Sequence, residues 1–341
     1  MNTLTSFQNQ ILITKFYIPV VQGNLISRPR LNTLLENSLR YPFTLISASA
    51  GFGKTTLLST WAQSLPAHHP LVAWVSLDQE DNNPTLFWTY VLTALNKQKP
   101  ELFSPLITEI QSLAAPPSPK SLLTRLINLL AKSEDDFLLI LDDFHVITEQ
   151  QLHIDLSYLI EYLPSQLHII ISTRTDPFLS LSRLRACGQV LEVRTEQLRC
   201  TVEETKAFFQ DVMSIHLPDK TIQAITVRTE GWLVGLRLLG LSLSDQADPS
   251  SLLQKVSGSQ RYILDYLTEV VLQQQPQDLQ LFLLSTCILN HLNASLCDAV
   301  MEMHSVPVQP LSNAFGSHTT FKDGGANALS GERMHFKSGS Q

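Results

Sequence analysis

The chain has 341 residues, 44% of them apolar, enough for one large α/β domain with a smaller companion and a filled core. Its 24 Lys and Arg against 31 Asp and Glu make it mildly acidic, and no basic run tracks a nucleic-acid backbone, so direct DNA binding is not expected of it. Four cysteines without a Cys-x-x-Cys pair argue against zinc or disulfide frameworks and read as buried free thiols; lacking a spanning apolar stretch and a secretory leader, the chain is expected in the cytoplasm, off the membrane.

In chain order, a lead segment over 1–42 contains LISRPRLNTLL, which starts a helix bearing Arg28 and Arg30. Five apolar runs then read as strands: Phe43 to Ser47, Leu71 to Ser76, Phe137 to Asp142, Leu167 to Ser172 and Val190 to Val193. Helical period fills the gaps at Thr55 to Leu65, Thr85 to Leu95, Lys120 to Ala131 and Gln150 to Leu163, with a proline-rich break, AAPPSPK, at 114–120. Such alternation predicts an α/β domain over 43–200 with a parallel five-stranded sheet covered on both faces. Past residue 200 helices take over, beginning with Thr201 as N-cap and Glu204 completing a capping box, which gives a helical domain at 201–259 and helix continuing to Val300. The 301–341 tail loses all periodicity and is not expected to pack.

The segment FTLISASAGFGKTTLLSTW joins a buried strand, a loop of small residues and a helix, the order a phosphate cradle requires. Ala48, Ser49, Ala50, Gly51, Phe52 and Gly53 form the loop; Lys54 reaches β and γ oxygens, Thr55 offers its hydroxyl to Mg²⁺, and Thr56 lies toward the α-phosphate. Ala48 stands where the pattern G-x-x-x-x-G-K-[ST] asks for glycine, and the competing reading is a glycine-rich turn with a surface lysine. In FLLILDDFHVI, Asp142 is placed to hold Mg²⁺ through water and Asp143 to polarise an attacking water, the alternative being two solvated aspartates at a turn. His145 beside them reads as a structural hydrogen-bonder.

The fourth strand ends in Ser172, Thr173 and Arg174. Arg174 is either a cation that senses the γ-phosphate or the partner of Asp176. Arg28 lies over the adenine or faces solvent. Trp232 and Leu233, in TEGWLVGLRLL, read as core rather than ligand contacts, as does Trp88.

With those residues quoted, the chain resembles the nucleotide-binding part of the MalT-type, LuxR-family transcriptional regulators, which are signal-transduction P-loop NTPases. The likeness runs over about 10–300, through LISRPRLNTLL, ISASAGFGKTTLLSTW, VAWVSLDQEDNNPTLFWTYV, LLILDDFHVI, IIISTRTDPFLSLSRLRA, TEGWLVGLRLL and FLLSTCILNHLNASLCDAV. It implies ATP or ADP with Mg²⁺ as ligands and self-association in the ATP state. It implies phosphate and magnesium contacts for Gly53, Lys54 and Thr55, an acidic pair at Asp142 and Asp143, and a sensor role for Arg174. The family loop commonly begins with alanine, as at Ala48. The likeness also makes 260–300 the start of a winged-helix-like domain, and the family's sensor arm and C-terminal helix-turn-helix do not follow. A truncated or frame-shifted product is therefore expected, acting as a regulatory switch with slow ATP hydrolysis at most. The competing functions are a P-loop ATPase or kinase enzyme with an acceptor pocket, and a remnant that binds nucleotide without output.

Overall fold

A computed structural model describes residues 11–21, 23–66, 70–110, 118–244, 268, 272–273, 275–287, 289 and 293–303. Its sheet strands are β1 (Phe43–Ser47), β2 (Leu71–Ser76), β3 (Phe137–Asp142), β4 (Leu167–Thr173) and β5 (Val190–Arg194). The helices are α1 (Pro29–Glu36), α2 (Lys54–Ser64), α3 (Pro84–Gln98), α4 (Pro100–Ile110), α5 (Pro119–Leu130), α6 (Gln150–Glu161), α7 (Val202–Ala207), α8 (Asp219–Thr229), α9 (Leu233–Ser244), α10 (Gln277–Thr286) and α11 (Ala294–Met303), with shorter turns between some of them.

The five strands run parallel in the order β2-β3-β4-β1-β5. Side chains alternate across a strand, and the cores divide accordingly. Phe137, Leu139 and Leu141 of β3 join Leu45, Ile169 and Ile171 under α3 to α6, whereas Leu138 and Ile140 join Ile46, Ile170 and Trp74 under α1 and α2. Strands buried on both faces explain the near-continuous apolar runs in the sequence. Each large side chain sealed this way contributes about 1.5–3 kcal/mol. Trp88 is core, as expected, at 2% exposure.

The element that periodicity did not single out is α4. Pro100 opens it and Pro105 interrupts its hydrogen-bond ladder, but Phe103, Leu106 and Ile110 are buried, and that packing holds the helix. The proline-rich break extends less far than expected: Ser118 accepts from Ser121 N as N-cap and Pro119 is the first residue of α5, while 111–117 lie outside the described residues. Of the four thiols only Cys200 and Cys297 are buried; Cys187 and Cys287 are exposed.

The described part of the lead segment is tied to the sheet domain. Lys15 Nζ donates to both carboxylate oxygens of Asp81 at 2.8 Å and lies 2.7 Å from Asp78 Oδ2. Burial opposes both charges: the two aspartates nevertheless hold Lys15 above its ordinary value, and Asp81, fully buried, is pushed up in spite of the lysine.

The helical segment after β5 starts where expected. Thr201 Oγ1 accepts from Glu204 N and the Glu204 carboxylate accepts from Thr201 N, each at 3.1 Å. Its own core gathers Phe208, Phe209, Ile222, Ile225 and Leu236. This segment belongs to one compact unit, residues 1–271, with the sheet. In the second unit α10 packs on α11, which runs to Met303, past the boundary at Val300 that the sequence suggested. The expected tail from 304 onward and the stretch 245–267 lie outside the described residues. Among those described, no helix is long and apolar enough to cross a membrane.

Candidate functional site

Strand order builds the site. β4 lies between β1 and β3, so three strand ends stand side by side: Ser47 pairs with Thr173, and Asp142 follows the Leu141–Ile171 pair. Directly beyond β1, Ala48 N donates to Thr173 O at 3.2 Å, and the loop turns through two left-handed glycines, Gly51 at φ 83° and Gly53 at φ 79°. Gly53 is the N-cap of α2 and Lys54 its first residue, which aims the unpaired amides of the helix start into the loop. Lys54 Nζ donates to Ala48 O at 2.7 Å and Ser49 O at 3.1 Å. Burial lowers the Lys54 pKa and Arg174 lowers it further, against the pull of Asp143 and Asp142.

A cavity of about 550 Å³ opens over this loop. Its floor is Gly51, Gly53, Lys54, Thr55 and Thr56, with Asp143 and Arg174 beside them. One wall is the lead segment, through Val21, Leu25, Ile26 and Arg28; the facing wall comes from the helical segment, through Phe208, Val212, Leu233, Val234 and Arg237. Ala48, Ser49 and Phe52 are loop residues that do not line it: Ala48 and Phe52 are buried against the core under α2, and Ser49 offers its carbonyl to Lys54.

Asp142 sits behind the floor at 2% exposure. Burial, then the neighbouring Asp143, pushes its carboxyl above the ordinary range, while Ser172 and Thr55 favour the charged form; Oδ1 nonetheless has no hydrogen-bond partner. Asp143 takes the left-handed conformation at φ 58°, which swings its half-exposed carboxylate forward. His145, assigned no part by the sequence, stands against this group with its Nδ1 3.7 Å from Asp143 Oδ1 and 16% of its side chain exposed. Burial, with Arg174 and Lys54, lowers its pKa to about 4, so the ring is neutral. A histidine three residues past the first aspartate was the available signal.

The neighbours of two further residues are also on view. Asp176 accepts from Ser47 Oγ at 2.9 Å and from Arg194 Nη2 at 2.9 Å, with Arg185 Nη2 3.8 Å from its Oδ2. Arg28 does not face solvent: it donates to Leu198 O at 2.6 Å, Arg199 O at 3.0 Å and the Glu204 carboxylate at 3.2 Å, and Arg30 grips the same carboxylate at 2.8 Å. The two arginines thus clamp the lead segment to the helical segment at the rim of the cavity.

Trp232 and Leu233 are more than core. Trp232 Nε1 donates to Ala50 O at 2.9 Å and Val234 N donates to Gly51 O at 3.1 Å, so the helical segment touches the loop directly. A methyl group on Gly51 would meet the indole nitrogen at 2.5 Å, and one on Gly53 would meet Leu233 at 3.0 Å. No local pattern marks these pairs, of which Trp232 and Ala50 lie 182 residues apart.

Residues 28–172 match the AAA ATPase domain family, and 267–308 match the MalT winged helix domain family. The chain has a P-loop NTPase fold and is similar to the MalT-type regulators. It is 31% identical over 297 residues to the HTH-type transcriptional regulator MalT of Yersinia enterocolitica, covering 84% of this chain and 31% of that one. It is 30% identical over 287 residues to the serine/threonine-protein kinase PknK of Mycobacterium tuberculosis, covering 84% of this chain and 26% of that protein. The chain therefore spans between 26% and 31% of the length of these curated relatives. Among solved structures it is similar to the Aeropyrum pernix ORC1 protein in complex with DNA, at 15% identity and a TM-score of 0.47, over 89% of this chain and 81% of that one.

Proposed function

We propose that this AAA-type module is a nucleotide-dependent switch that binds ATP or ADP with Mg²⁺ and hydrolyses ATP slowly. The carrying observation is the cavity's construction: its floor is the phosphate loop, but its two walls come from the lead and helical segments, so occupancy bears directly on how those segments sit. The residues suit the ligand. Small left-handed glycines leave room for phosphate against the loop, apolar Val21, Ile26, Phe208 and Leu233 suit a planar base, and the partnerless buried Asp142 Oδ1 beside Thr55 suits a hydrated divalent cation.

In this reading Lys54 leaves its carbonyl partners for the β and γ oxygens, and Thr55 and Asp142 hold Mg²⁺, which when bound neutralises charge on the phosphates. Asp143 orients and polarises water, and Arg174 offsets charge that builds on the transferring group. Self-association in the triphosphate state and a part in transcription regulation follow from the likeness to MalT.

Calorimetry with Mg·ATP, ADP and GTP tests the ligand, and Lys54→Ala is expected to abolish tight triphosphate binding. Asp143→Asn is expected to slow hydrolysis more than it weakens binding. Turnover above about 1 per second, the lower end for kinases, argues against a switch.

A further inference from the structure

A loop that turns its amides toward phosphate turns its carbonyls outward, and in a packed interior those carbonyls need donors. Here the donors come from the helical segment: the Trp232 indole for Ala50 and the Val234 amide for Gly51. The indole is held in place from behind. Gly231, at φ 67°, lets the chain pass so close to Cys200 that a methyl group there would meet its carbonyl oxygen at 2.5 Å, and Cys200 N donates to Gly231 O at 2.9 Å. Gly235 leaves the space the ring fills, since a methyl group on it would meet Trp232 Cε3 at 2.5 Å. Three glycines, Gly51, Gly231 and Gly235, thus give way to one indole and its approach.

We propose that Trp232 is a positioning residue of the phosphate loop, whose indole N–H, together with the Val234 amide, fixes the loop's phosphate-binding shape and makes the helical segment respond to nucleotide occupancy. The inference rests on the nucleotide-binding reading above.

Trp232→Phe keeps a six-membered aromatic ring and removes the indole's second ring together with the donor. Gly235→Ala favours the helix yet displaces the indole from a position outside the cavity. Both are expected to fold, as followed by circular dichroism, and to bind Mg·ATP about five-fold more weakly in calorimetry, the scale of one hydrogen bond. The chain has four tryptophans, and Trp61, Trp74 and Trp88 are buried at 2% exposure or less in the sheet domain, so a change of indole emission on adding Mg·ATP is expected to come from Trp232. That change is expected to vanish in Trp232→Phe. Wild-type affinity or an undiminished emission change in Trp232→Phe overturns the proposal, as does wild-type affinity in Gly235→Ala. Absence of binding by the unaltered protein would instead overturn the nucleotide reading itself.

Discussion

Asp142 carries a cost that the proposed magnesium-binding role would account for. Burial holds its carboxyl above the ordinary value, so the folded chain takes up a proton more readily than the unfolded one, and stability falls as pH rises through that interval. Asp142→Asn is therefore expected to raise the melting temperature of the nucleotide-free protein at neutral pH while weakening Mg²⁺-dependent ATP binding; paired melts and calorimetry check both. His145 has the opposite sign. With its pKa lowered from 6.5 to about 4, it is the unfolded chain that gains a proton between those values, and stability is lost as pH falls through them. His145→Gln is expected to flatten that acid limb of a stability profile measured by urea unfolding. The aspartate pair was legible because a buried apolar run ending in two carboxylates is a local pattern. The burial of His145 among Arg174, Lys54 and Asp143 was not, since it depends on residues that only the sheet order brings together.

Among the elements, the strands and, α4 apart, the longer helices between them were legible to within a few residues, because parallel strands covered on both faces must be continuously apolar. The contacts between elements were not. Glu204 announced itself as half of a capping box, and it is that; it also receives Arg28 and Arg30 from more than 170 residues upstream. Nothing in the local sequence distinguishes an N3 glutamate with one task from one with two. Glu204→Ala leaves Arg28, at 7% exposure, with carbonyl partners only, and is expected to cost about 2–3 kcal/mol in urea unfolding and to weaken nucleotide binding as the cavity rim loosens. The strand order was equally silent: alternation predicts a parallel sheet without saying that β4 separates β1 from β3.

For the whole molecule, every residue placed in the floor and walls of the cavity lies between Val21 and Arg237, inside the first of the two compact units. A protein ending at residue 271 is therefore expected to bind Mg·ATP within about two-fold of the full chain, a factor under 0.5 kcal/mol, in the same calorimetric assay. The match to the AAA ATPase domain family, by contrast, stops at residue 172 and begins at 28. Cut at those limits, the polypeptide would keep its phosphate loop and acidic pair but lose Val21, Leu25 and Ile26 from one side, and Trp232 with its whole helix from the other. The stretch that the family match recognises and the stretch that builds the cavity are here different lengths of chain, and a graft made at the limits of the match would carry the phosphate-type loop without the cavity's walls.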